Sequence, residues 1–105
     1  NGRLYEAELY HLRGELFLLT KDREQAEEAF RQALSTAQRQ QAKSLELRAT
    51  ISLARLWRSQ GKTIEAHTML SEIYNWFTEG FETKDLQEAK AVMETLREVS
   101  DSSLS

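Results

Sequence analysis

Displaced by 40 residues, the sequence falls on itself. Gly14 lands on Ala54, Phe17 on Trp57, Ala26 on Ala66, Phe30 on Leu70 and Ala33 on Ile73. Five matched positions sharing one offset are hard to obtain by chance. Within the first copy, Gly14 precedes Ala26 by twelve residues, and Phe30 and Ala33 follow Ala26 at four and seven. On two antiparallel helices, a glycine on the first and alanines on the second let the backbones approach closely, and a ring such as Phe30 fills the space beside that contact. Proline is absent and glycine occurs four times, which favours long helices over a sheet. The pattern predicts two helical hairpins and a closing fifth helix, stacked as a short right-handed solenoid.

Taken in order, Arg3 to Thr20 reads as the first helix, with Ala7, Tyr10, Gly14 and Phe17 on one stripe and Leu9, Leu12 and Leu16 on a second. The second stripe calls for a neighbour beyond the hairpin. Asp22 is an expected N-cap for a second helix, with Gln25 three residues on, and that helix runs to about Gln41. Ser44 is the expected N-cap of a third helix with Glu46 in its first turn; it buries Leu45, Ala49, Leu53, Leu56 and Trp57 and ends near Gly61. Thr63 opens a fourth, carrying Ala66, Met69, Leu70, Ile73, Tyr74 and Phe77, which Gly80 stops. A fifth starts at Thr83 or Asp85, where Asp85 and Glu88 suit a capping box, and continues through Leu86, Ala89, Met93, Leu96 and Val99. This gives one domain over about 1–99, with repeat 1 at about 3–41, repeat 2 at about 44–80, a capping helix at about 83–99 and a disordered tail at 100–105.

The spacing of Gly14, Ala26, Phe30 and Ala33 resembles a tetratricopeptide repeat, whose pattern is W-x2-L-G-x2-Y, then A-x3-F, then P. Tyr10 and Phe17 are looser matches to the Trp and Tyr, while Arg13 and Gln38 depart from the Leu and Pro. The 40-residue offset exceeds the usual period of about 34, leaving about one and a half additional helical turns per repeat. The stretch AEEAFRQALSTAQRQQAKSLELRATISLARLWRSQGK and the stretch IYNWFTEGFETKDLQEAK are similar to the C-terminal repeat region of large bacterial signalling ATPases. The resemblance covers roughly residues 3–97. Those proteins join a nucleotide-binding module and a helical-repeat tail to an output domain, often a nucleotide cyclase or a helix-turn-helix regulator. The resemblance implies a partner- or ligand-sensing tail. No phosphate-binding G-x-x-x-x-G-K-[ST] loop is present, so none of that family's catalytic residues carries over.

With 105 residues the chain can hold one continuous core. Its lack of cysteine excludes disulfides, thiolate metal sites and cysteine nucleophiles. A net charge of −3 argues against a nucleic-acid module. No apolar run reaches the length of a membrane span and no signal peptide is visible, so a soluble, cytoplasmic origin is expected. The chain opens at Asn1 and Gly2 without an initiator methionine, and is expected to be part of something larger.

The expected binding surface is a concave groove lined by the first helix of each hairpin. It would be formed by Glu8, His11, Glu15, Leu18 and Leu19, with Arg48, Ile51, Arg55, Arg58 and Ser59. Arg48, Arg55 and Arg58 share one face, and three guanidinium forks there suit a carboxylate or phosphate on a partner peptide. The favoured reading of the stripe is that Glu8 pairs with Arg48 and Glu15 with Arg55 as solvated ion pairs between repeats. Arg58 has no such expected partner and is the stronger candidate for external contact. Trp76 is out of phase with Tyr74, Phe77 and Phe81; it is either an exposed aromatic anchor or, the favoured reading, packed flat over the last helix. Glu8, His11 and Glu15 have a spacing that can hold a metal, but no second histidine is near, so a polar patch is expected there. Glu24, Glu27 and Glu28 read as solvated charges rather than catalytic pairs.

The expected function is therefore a non-catalytic module without cofactor or metal, which binds a protein, a peptide or other domains of a larger cytoplasmic signalling ATPase. The alternative is a spacer and self-association element, forming a homodimer through the first-helix face that carries Leu9, Leu12 and Leu16.

Overall fold

A computed structural model describes the backbone of residues 3–78 and 83–104 and the side chains of residues 5–78 and 83–98. Five α-helices follow one another: α1 (Arg3–Leu19), α2 (Arg23–Arg39), α3 (Lys43–Ser59), α4 (Thr63–Trp76) and α5 (Lys84–Leu104). No strand occurs among the described residues. The fold is all-α, the outcome expected of a proline-free chain with helical spacing of its apolar residues. Helix α5 continues to Leu104, beyond the end at Val99 that the apolar pattern predicts. Gly80 and Phe81 lie outside the described residues.

The 40-residue repeat resolves into shorter units. Lys21, Gln41 and Gly61, spaced by 20 residues, have φ of 64°, 55° and 84°. At each, two hydrogen bonds close the preceding helix. The N–H groups of Asp22, Ala42 and Lys62 donate to the carbonyls of Phe17, Ala37 and Trp57 at 2.8, 2.9 and 2.9 Å. Those of Lys21, Gln41 and Gly61 donate to Leu18, Gln38 and Arg58 at 3.0, 3.1 and 3.1 Å. This bond pair is the Schellman motif, in which a left-handed residue satisfies carbonyls that the helix end would otherwise leave open. The motif usually brings an apolar contact between the residues flanking the turn. At the third turn, Lys62 instead places its ammonium 5.7 Å from the centroid of the Trp57 ring.

These turns decide where the next helix starts. Asp22 caps α2 as its sequence predicts: Oδ1 accepts from the Gln25 N–H at 3.2 Å and Oδ2 from the Gln25 side-chain amide at 3.0 Å. Ser44 does not cap α3. The left-handed Gln41 redirects the chain early, the Ala42 carbonyl accepts the Glu46 N–H at 2.9 Å, and Ser44 falls inside the first turn. The expected capping box of Asp85 and Glu88 is also replaced. The Thr83 carbonyl accepts the Gln87 N–H at 3.0 Å, so Asp85 lies within the helix, and the Glu88 carboxylate is paired with Arg55.

The chain divides into two compact units, Asn1–Ala49 and Thr50–Ser105, with the division inside α3. In the first, α1 and α2 form a tight hairpin. Ala7 and Gly14 are buried on α1, and Ala26, Ala29, Phe30, Ala33 and Ala37 on α2. In the second, α4 packs on α5, with Ala66, Leu70 and Ile73 buried on the former and Leu86, Ala89, Val92 and Leu96 on the latter. Val92 takes the core position expected of Met93, which is half-buried. The 40-residue equivalents agree in burial: Gly14 and Ala54, Ala26 and Ala66, and Phe30 and Leu70 are all inside.

Candidate interaction surfaces

One face of α1 is spent on α2; the other is apolar and open. Tyr5, Leu9, Leu12, Leu16 and Leu19 are 66%, 60%, 55%, 62% and 79% exposed. Their spacing of four, three, four and three residues keeps all five on one line along the helix. Isolated exposed leucines are ordinary, whereas a continuous line of large apolar side chains marks a contact surface. The repeat sharpens this point. Leu9 and Leu16 correspond to Ala49 and Leu56 of α3, and both of those are buried. Tyr5 and Leu19 extend the line beyond the three leucines that the sequence singles out, and the signal that finds them is the alternating spacing.

The polar residues of α1 flank this line. His11 Nδ1 lies 3.1 Å from Glu15 Oε1, one helical turn on. The His11 ring is tilted on Phe30 with centroids 5.5 Å apart, so it is half-buried beside the hairpin contact. Glu8 is exposed. Among the described residues no group of three His, Cys, Asp or Glu side chains is placed to hold a metal ion.

Arg55 and Arg58 of α3 find partners on α5 within their own unit. Arg55 forms an ion pair with Glu88 of α5. Arg58, for which no partner is expected from the sequence, donates through Nη1 to Thr95 Oγ1 at 2.7 Å, and that hydroxyl donates to the Val92 carbonyl at 2.7 Å. Ile51 stands one heptad before Arg58 on the same stripe and is 3% exposed. It belongs to the core, not to a solvent-facing groove. Helix α5 meets the Arg55 and Arg58 side of α3, which the sequence pattern leaves open. Within the first unit Glu15 is paired with His11, and within the second Arg55 is paired with Glu88. Arg48 is exposed, and so is Ser59, whose hydroxyl donates to the Leu56 carbonyl at 2.6 Å.

Trp76 closes α4 and is 56% exposed, its ring edge-on to Phe77 with centroids 5.1 Å apart. The burial expected of it over the last helix is not reached. The helix stops at Trp76, and Phe77 has an extended backbone (ψ 133°), so the ring pair sits at a helix end rather than along a helical stripe.

A further feature has no counterpart in the sequence reading. Helices α4 and α5 flank a cleft of about 380 Å³ lined by His67, Tyr74, Asn75, Lys90, Glu94 and Arg97 among others. Its charges are mixed, and no motif in either helix marks it.

Residues 7–40 match the family model of the tetratricopeptide repeat. The match runs from the buried Ala7 of α1 to Gln40, the C-cap of α2. This segment is similar to a tetratricopeptide repeat, and the chain has an all-α, helical-hairpin arrangement consistent with that class. Such repeats generally mediate protein–protein interaction. Searches of curated proteins and of solved structures return no significant match. Among the described residues no helix is long and apolar enough to cross a membrane.

Proposed function

We propose that the chain is a non-catalytic protein-interaction module whose docking face is the outward side of α1, and that it serves as a regulatory segment of a larger cytoplasmic signalling protein. The observation that carries the docking face is the open line of Tyr5, Leu9, Leu12, Leu16 and Leu19. At roughly 25 cal/mol per Å² of apolar surface, covering such a line is a substantial driving force for association. The partner this face suits is an amphipathic helix that lays its own apolar side along α1. The net charge of −3 supports a protein partner over nucleic acid. The regulatory role and the cytoplasmic setting are supported by the resemblance to repeat tails of signalling ATPases.

The proposal moves the docking face away from the arginine stripe, because Arg55 and Arg58 already have partners on α5. A suitable probe is a peptide of residues 23–42, the helix with its turn that precedes α3 in the repeat order. Titration of the labelled peptide into the full chain should show saturable binding. Leu9→Glu with Leu16→Glu should abolish it, while Arg48→Glu, Arg55→Glu and Arg58→Glu together should leave it in place. Binding that the arginine changes remove and the leucine changes spare would overturn the assignment.

A further inference from the structure

We infer that the occupant of the α1 face is a second copy of this chain, with the two α1 helices side by side, parallel and in register. The inference rests on the docking face proposed above and names its partner. The spacing of the exposed residues is the first ground. Tyr5, Leu12 and Leu19 fall at one position of a heptad and Leu9 and Leu16 at the other, the seam of a two-stranded coiled coil, which is complementary to itself. An isologous pair closes on itself and leaves no further face for growth.

Charge is the second ground. In this register Glu8 and Glu15 precede the seam on one flank, and Glu6 and Arg13 follow it on the other. A parallel pair sets Glu8 of one copy against Arg13 of its partner, five residues on, and does so twice by symmetry. An antiparallel pair brings Glu8 towards Glu15 of the other copy. These like charges offset the Glu6 and Arg13 pairing it makes on the opposite flank, so the net balance favours the parallel pair. Glu8 and Arg13 are both exposed, and Arg13 is held only 5.6 Å from the centroid of its neighbour Tyr10. Area is the third ground. Five side chains more than half exposed offer roughly 500 Å² per copy, so a pair covers about 1,000 Å², the lower bound for a specific interface.

The chain contains no cysteine, so a single introduced thiol reports the arrangement. Leu19→Cys lies near one end of the line. In a parallel, in-register pair the two thiols face each other and oxidise to a disulfide-linked dimer, whereas in an antiparallel pair they stand at opposite ends. Light scattering across a hundredfold dilution should show a dimer that dissociates at low concentration. Leu9→Glu with Leu16→Glu should raise the dissociation constant more than tenfold with the circular-dichroism spectrum unchanged. Arg13→Glu should weaken the pair severalfold, and Glu8→Arg added to it should restore it. Failure of Leu19→Cys to crosslink in a dimer that the leucine changes disrupt would overturn the parallel register. A monomer at the highest concentration that still binds the 23–42 peptide would overturn the second copy and leave the docking face standing. A monomer that binds no peptide would overturn both.

Discussion

Phe30 occupies the space that a side chain at residue 14 would need. A Cβ built on Gly14 would meet Phe30 Cε1 at 2.5 Å and Cδ1 at 2.6 Å, and Phe30 is fully buried. A side chain at residue 14 would force the ring or the backbone to shift, so the α1–α2 hairpin closes to this distance because residue 14 has no Cβ. Gly14→Ala gains up to about 1 kcal/mol of helix propensity and loses about 1–3 kcal/mol to overpacking. A net loss of stability is expected in urea unfolding. With Phe30→Leu in the same chain, the penalty of Gly14→Ala should shrink, a coupling that a double-mutant cycle reads directly.

The three left-handed turns make a second prediction. Lys21 and Gln41 hold positive φ with a Cβ present, while Gly61 holds it without one. Lys21→Gly and Gln41→Gly should each stabilise the fold by about 0.5–1 kcal/mol, the left-handed strain removed less the added freedom of the unfolded chain. Gly61→Ala should cost about 1 kcal/mol although nothing stands within 4 Å of the added carbon. Thermal melts of the three variants test the sign of each.

Asp22 caps α2, one carboxylate oxygen accepting from the Gln25 backbone N–H and the other from the Gln25 side-chain amide. Asp22→Ala should cost about 0.5–2 kcal/mol, and Asp22→Asn or Asp22→Ser should recover most of it. Recovery by Asn separates the hydrogen bond from the charge at the helix N-terminus.

On α3 the two arginines should differ. Arg55 and Glu88 are both substantially exposed, so a double-mutant cycle should give a coupling of about 0–1 kcal/mol that fades at high salt. Arg58 is half-buried on Thr95. Thr95→Val removes the accepting hydroxyl at nearly constant shape and should cost about 1 kcal/mol with little salt dependence.

The hairpin was legible in the sequence because its contacts need particular side chains. Gly14, Ala26, Phe30 and Ala33 are constrained by close approach, so their spacing betrays the partner helix. All three breaks were placed by the sequence, but the left-handed residue was legible only at Gly61, since Lys21 and Gln41 adopt the same backbone without the residue that advertises it. The surroundings of the arginine stripe were not legible for another reason. Helical phase places Arg55, Arg58 and Ile51 on one face, but only the position of α5 decides whether that face meets protein or water. The α4–α5 cleft was invisible because its lining residues share no motif.

The most direct measurement is a backbone chemical-shift map of the full chain with increasing 23–42 peptide. If α1 carries the docking face, the amides that move will gather at Tyr5, Leu9, Leu12, Leu16 and Leu19, leaving Arg48, Arg55 and Arg58 in place. Shifts centred on the arginines of α3, with α1 silent, would contradict it.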